Sequence, residues 1–181
     1  MINHKPAWLT DFESELLMRT SQTWPFDQPE VVVWEKRHKI PRLTCWFTDT
    51  GEGYRYSGQV AAPHQWAPEV LVVKTRLEAE LGTKFQHCLA NFYRSGQDTV
   101  GWHSDDDHIF DQNPIIASVS CGATRKFKMR NRATKEKADF ELAAGDLIVL
   151  TNEHVFDFEH CIPRTAKPVG PRLNLTFRSG K

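Results

Sequence analysis

The sequence predicts a mainly β protein with supporting helices, most simply a sandwich or barrel, built as one domain. Three observations predict it. Short segments rich in Val, Ile, Leu, Thr and Phe recur along the chain between Gly, Pro, Asn and Asp clusters. Only two stretches carry helical periodicity. The length, 181 residues, is enough for one substantial core and short for two.

The first helix is expected near 10–21, because Thr10-Asp11-Phe12-Glu13 matches a capping box and Leu16 and Leu17 follow at helical spacing. The second is "PEVLVVKTRLEAELG", residues 68–82. Pro68 suits its first turn, Gly82 its end, and Val70, Val73, Leu77 and Leu81 form one apolar stripe. Strands are expected at 31–35, 43–48, 54–60, 85–93, 115–121, 125–130, 138–142, 146–150, 155–161 and 172–178. No repeat or low-complexity segment interrupts them.

No apolar run approaches the roughly 18–20 residues of a membrane span, and the first residues lack a basic segment followed by an apolar block. The expectation is a soluble intracellular protein, cytoplasmic or nuclear, acting as a monomer with no membrane partner. Cysteines at 45, 88, 121 and 161 are scattered without C-x-x-C pairing, which reads as reduced thiols rather than a disulfide frame or zinc site. Formal net charge is zero, but the distribution is uneven. Residues 125–137, "RKFKMRNRATKEK", hold seven Lys or Arg against one Glu; "EKRHKIPR" at 35–42 is also basic, and acids gather in "SDDDHIFD" at 104–111. The first cluster reads equally as a solvated hairpin or as a surface for phosphates.

One stretch concentrates chemistry: "NFYRSGQDTVGWHSDDD", residues 91–107. On a strand, residues two apart share a face, so His103 and Asp105 are placed to grip one metal ion. A third ligand must come from elsewhere. His160 in "FDFEHCIPR" is the choice, late in an expected strand; His154 and His108 are the weaker candidates. Two histidines and one carboxylate on one face of a metal suit Fe(II) oxygenases, with the remaining positions open.

The final strand, "RLNLTFR", alternates cleanly. Leu173, Leu175 and Phe177 fall on one face, and Arg172, Asn174, Thr176 and Arg178 on the other. Either this is an edge strand with its polar side in water, or that side looks into a cavity and holds an anion bidentately. Asn91 and Tyr93 share a face in the same way, and the combined inventory suits a small dicarboxylate.

Together, "NFY…G.D.VGWHSDDD", "PIIASVSCGATRKF", "GDLIVL", "EHCIPR" and "PRLNLTFR" resemble the AlkB family of Fe(II)- and 2-oxoglutarate-dependent dioxygenases, which repair alkylated nucleic acid. The resemblance runs from "IPRLTCWF" near residue 40 to the C-terminus and leans toward the DNA-repairing branch with a hairpin lid. It implies a double-stranded β-helix (jelly-roll) core over 61–181, with 1–60 holding the N-terminal helix and a nucleic-acid recognition lid. It implies Fe(II) on His103, Asp105 and His160. The cosubstrate 2-oxoglutarate would lie among Asn91, Tyr93, Arg172, Asn174, Thr176 and Arg178, with Arg172 at the distal carboxylate and Arg178 at the one beside the keto group. "YRYSG" at 54–58 matches the base-stacking segment, so Tyr54 and Tyr56 are expected at the substrate, with Tyr56 and the His103 ring sandwiching the damaged base. Asp106 is expected either to accept a hydrogen bond from the exocyclic amine of the base or merely to tune the ligand beside it, and Trp34 to act as a wedge that replaces the base in the duplex, the alternative being a core aromatic. The implied substrate is alkylated DNA, single- or double-stranded, or RNA. The implied reaction is oxidative dealkylation that releases succinate, carbon dioxide and formaldehyde. The same chemistry on RNA or a protein side chain, or an iron-free binding module, are the alternatives.

Overall fold

The computed structural model describes residues 2–33, 35–56, 59–105 and 114–179, and the statements below refer to these. Trp34, Asp106 and His108 lie outside the described residues, as does the side chain of Tyr56.

The elements in chain order are β1 (Asn3–Lys5), α1 (Asp11–Thr20), β2 (Glu30–Val33), β3 (Lys36–Lys39), β4 (Leu43–Thr48), β5 (Tyr54–Tyr56), β6 (Gln59–Ala61), β7 (Pro63–His64) and α2 (Pro68–Leu81). There follow β8 (His87–Tyr93), β9 (Val100–His103), β10 (Ile115–Gly122), β11 (Arg125–Asn131), β12 (Lys137–Leu142), β13 (Leu147–Thr151), α3 (Asn152–Phe156), β14 (Phe158–Ile162) and β15 (Arg172–Arg178). A major sheet runs β1-β13-β10-β15-β8-β4-β7 and a minor sheet β12-β11-β14-β9; β2-β3 and β5-β6 are separate hairpins. The two sheets enclose a shared core, which is the double-stranded β-helix expected.

Both expected helices form where their caps demand. Thr10 Oγ1 accepts from the Glu13 backbone N–H at 3.2 Å, while Glu13 Oε2 accepts from the Thr10 N–H at 2.8 Å, a complete capping box at the head of α1. Gly82 ends α2 with φ at 63°, the left-handed conformation that a residue with a Cβ resists. Leu17 of α1 and Val70, Val73 and Leu77 of α2 bury against Ala117, Val119, Leu147, Leu173, Leu175 and Phe177 on one face of the major sheet. The opposite face packs Ile116, Ile148 and Leu150 against Phe127, Met129 and Ile162 of the minor sheet. None of the described helices is long and apolar enough to cross a membrane. All four cysteines are free and buried, and burial pushes the thiols of Cys45 and Cys121 up to about 12 and 11, so they stay protonated and unreactive.

Several expectations need correction. Residues 155–161 are not one strand: the segment opens as α3, capped by Thr151, and only then enters β14. The 54–60 segment is split into the paired β5 and β6. The all-polar "KRHK" forms β3 because it pairs with β2, Val31 opposite His38 and Val32 opposite Arg37. Strands β1, β7 and β9 were not anticipated, being short or carrying Gly and Pro. Asp105 lies past the end of β9, so it shares a site with His103 by the turn of the chain rather than by strand alternation.

The α2 stripe yields a direct check. Leu77→Ala, at a fully buried position, is expected to destabilise by about 2–5 kcal/mol in urea unfolding. Val72→Ala, two-thirds exposed on the same helix, should stay within about 0.5 kcal/mol. Equal losses would mean that α2 does not pack by this stripe.

Candidate metal and dicarboxylate site

Strand β15 is not an edge strand. It lies between β10 and β8, and all seven of its residues are buried. Its apolar face meets the helices, so its polar face must look into the space between the sheets, and Arg172, Asn174, Thr176 and Arg178 all line a cavity there. The antiparallel register brings the neighbours: Arg172 pairs with Tyr93, Asn174 with Asn91 and Thr176 with Leu89 on β8. On the other side Asn174 pairs with Ser120 and Thr176 with Ser118 on β10. Every residue expected to hold the dicarboxylate therefore reaches this one cavity.

The minor sheet closes it. His103 on β9 and His160 on β14 are direct cross-strand partners, their ring centroids 4.3 Å apart. Asp105 stands 3.7 Å from His103 Nε2 and 3.9 Å from His160 Nε2. One ligand atom from each of the three lies within 4.8 Å of the others, a group able to hold a metal ion. His154, the weaker candidate for a third ligand, is not in that group; it is buried on α3, its Nδ1 turned toward Thr151.

The electrostatics prepare a ligand set. His103 Nδ1 lies 2.8 Å from the Gly101 carbonyl, which can only accept, so Nδ1 carries a proton and Nε2 is the nitrogen turned toward Asp105. Burial alone would push the Asp105 carboxyl up, but Arg178, with Nη2 donating to Oδ1 at 3.2 Å, and then His160 and His103 hold it well below the usual carboxylate range. Burial, together with the adjacent His103, pushes His160 down to about 4, against the pull of Asp105. At neutral pH the site therefore presents a carboxylate and a neutral imidazole at His160, the forms a divalent metal requires.

At the far end, Arg172 is fully buried and donates through Nη2 to Ser120 Oγ at 2.9 Å. Its Nε and Nη1 have no hydrogen-bond partner among the described residues. Buried guanidinium donors without acceptors are costly, and a ligand carboxylate would supply the missing acceptors. The donor set fits an iron ion at one end and a dicarboxylate reaching Arg172 at the other.

The structure also refines individual expectations. Asn174 turns both its donors inward to the sheet, to Ser118 Oγ at 2.8 Å and the Val119 carbonyl at 3.0 Å, and its Oδ1 accepts from Thr176 at 2.9 Å. Its amide thus fixes β15 to β10. Tyr54 is a buried wall of the cavity, stacked on Trp46 at 4.4 Å with the Arg178 guanidinium 5.7 Å from its ring. Sequence reading missed Arg42, which lines the cavity and donates through Nε to Asn91 Oδ1 at 2.8 Å, holding that amide in one orientation. It also missed Ser118 and Ser120, although the alternation in "IIASVSCG" puts Ile116, Ser118 and Ser120 on one face. Arg125, counted in the basic cluster, is a buried strut bonded to the carbonyls of Ser95, Asp98 and Pro163.

Comparison with known proteins agrees with this geometry. A model of the 2OG-Fe(II) oxygenase superfamily matches residues 2–178. The chain is 33% identical over 173 residues to the human "Alpha-ketoglutarate-dependent dioxygenase alkB homolog 3", covering 91% of this chain and 60% of that protein. It is 35% identical over 156 residues to the Bos taurus "DNA oxidative demethylase ALKBH2", covering 82% and 56%. The chain thus spans little more than half the length of these relatives. Among solved structures it superposes on OsALKBH1 with a TM-score of 0.70 at 19% identity, covering 98% of this chain and 97% of that one. A Pseudomonas putida prolyl-4-hydroxylase gives 0.60 at 16% identity, covering 99% and 93%, and at such identities the likeness speaks for the fold alone. A His-Asp-His group at an arginine-lined cavity, within a chain matched by the family model over residues 2–178, places the protein in the 2OG-Fe(II) oxygenase superfamily and, within it, in the AlkB family.

Proposed function

We propose that this chain oxidatively dealkylates N-alkylated bases in nucleic acid, DNA above all, consuming 2-oxoglutarate and oxygen and releasing succinate, carbon dioxide and formaldehyde. The observation that carries the reading is the joint presence, in one cavity, of the His103-Asp105-His160 group and of Arg172, with two donors unsatisfied among the described residues. Fe(II) chelated by 2-oxoglutarate supplies the activation of oxygen. The chain's own residues do the rest. His103, Asp105 and His160 hold the metal, and Arg178 keeps Asp105 ionised. Arg172 would take the distal carboxylate, and Arg178, bonded to Asp105, would face the carboxylate beside the keto group. Asn91, held by Arg42, Tyr93 and Thr176 complete that wall. Leu89, Ile116, Phe127 and Leu150 line the same cavity with apolar surface that excludes water.

A base inside a duplex cannot enter such a cavity, so the substrate base must be flipped out, and N-alkylation that weakens pairing lowers the cost. The hairpin β2–β3 supports this: Lys36, Arg37, His38 and Lys39 are all exposed, three of them cations suited to the phosphates on either side. In this reading Trp34 is the wedge, Tyr56 stacks on the base against the His103 ring, and Asp106 accepts from its exocyclic amine. The names of the relatives favour DNA, one of them being called a DNA oxidative demethylase.

The test is turnover of a single-stranded oligonucleotide carrying one N-methylated adenine. Succinate and formaldehyde should appear in equal amounts with loss of the methyl group. Succinate without formaldehyde, and an unchanged oligonucleotide, would remove nucleic-acid dealkylation from the account.

Two substitutions probe the parts. His160→Ala is expected to weaken Fe(II) binding by more than the roughly 10–100-fold typical of removing an outer-sphere partner, whereas His154→Ala should leave it near wild type. Anaerobic metal titration decides this, and the reverse pattern would mean the wrong third ligand. Arg172→Ala should raise the 2-oxoglutarate KM by about 10- to 150-fold, since a buried charged hydrogen-bond partner contributes about 1.5–3 kcal/mol, with Fe(II) affinity retained. An unchanged KM would show that the cosubstrate lies elsewhere.

A further inference from the structure

Trp102 precedes His103 on β9, and strand alternation turns neighbours to opposite faces. Val100 and His103 both face inward, three residues apart, because the pairing of β9 with β14 shifts register between them, and Trp102 falls on the outer face of the minor sheet, where it meets Arg130, whose neighbours Phe127 and Met129 on β11 are the buried ones. A tryptophan is usually largely buried, yet this one is 39% exposed. It is also fixed from one side. The Arg130 guanidinium lies 4.1 Å over its ring, and Arg130 Nε donates to Glu159 at 2.5 Å, so the cation is itself anchored. The result is a rigid indole, backed by a guanidinium and partly open to solvent, one residue from a metal-site histidine.

Resting on the reading of the cavity as the place of a flipped base, we infer that Trp102 is the stacking platform for a nucleotide next to that base, the strand passing round the β9 edge. The occupant is single-stranded nucleic acid. Every base has a π-face, so stacking on an aromatic accepts any neighbour, whereas the flanking bases of a duplex already stack within it. Trp102 adjoins His103 on β9, the last strand of the minor sheet among the described residues, so a nucleic-acid strand rounding that edge from the cavity would meet the indole next. Charge agrees with this occupant. Lys128 shares the outer face of β11 with Arg130; Arg130 is committed to Glu159, so Lys128, opposite Cys161 on β14 and Asp139 on β12, is the cation this face offers a phosphate.

The test uses full-length protein loaded with Fe(II) and 2-oxoglutarate without oxygen. The probes are an N-methylated adenine mononucleotide and a labelled single strand of about ten nucleotides carrying one such base. Trp102→Ala should reduce the affinity advantage of the strand over the mononucleotide about tenfold, and Trp102→Phe should recover most of it. An advantage unchanged in Trp102→Ala overturns the platform. So does a variant that weakens both probes alike and lowers the unfolding midpoint, which would mark Trp102 as structural only. If wild-type protein binds neither methylated probe, the reading of the cavity falls and the platform with it. If the wild type binds both probes and Trp102→Ala matches it on each, the platform alone falls.

Discussion

The polar face of β15 has to be satisfied away from water. Arg172, Asn174, Thr176 and Arg178 are each no more than 7% exposed, because the other face of the same strand is committed to the helical layer through Leu173, Leu175 and Phe177. A buried guanidinium is tolerated only when anions or carbonyls surround it. The sheet meets part of that need through Ser120 for Arg172, and through Ser118 and the Val119 carbonyl for Asn174. Asp105 meets more of it at Arg178. The donors left over at Arg172 require an anion from outside, so the packing of one strand between a helical layer and a second sheet creates a binding site for a small acid.

The same constraint sets the metal end. Asp105 is buried against two histidines, and burial would favour its neutral form. Arg178 reverses the balance, since a full opposite charge at hydrogen-bond distance in a shielded cavity outweighs the desolvation of one carboxylate. The histidines feel the opposite pressure: burial disfavours a charged His160, and His103 at 4.3 Å disfavours it further. A metal ion resolves both demands, taking the carboxylate charge and the imidazole lone pairs together. Arg178 bonds to Asp105 and lines the cavity, so under the proposed function metal and anion binding would be coupled through it, whereas Arg172 would act on the anion alone.

Much of this was legible in the sequence, and the failures have physical reasons. The alternation of "RLNLTFR" identified the two faces of β15, but period two alone cannot tell a face in water from a face in a cavity; that depends on which strands lie alongside. His103, Asp105 and His160 were found by residue type and order, while the strand argument for Asp105 failed because β9 ends at His103. The charge count over 125–137 treated all basic residues alike, although Arg125 is a buried strut and Arg130 is tied to Glu159. "KRHK" carries no apolar signal, and only its partner strand makes it β3. Arg42 escaped notice because its role lies in holding Asn91, 49 residues along the chain, a contact no local pattern announces.

The most direct measurement is anomalous-scattering crystallography of the protein grown without oxygen in Fe(II) and 2-oxoglutarate. The expected result is one iron peak in direct contact with His103 Nε2, an Asp105 carboxylate oxygen and His160 Nε2, with cosubstrate density reaching Arg172. An iron peak at His154, or a dicarboxylate lying outside the face formed by Arg172, Asn174, Thr176 and Arg178, would contradict it.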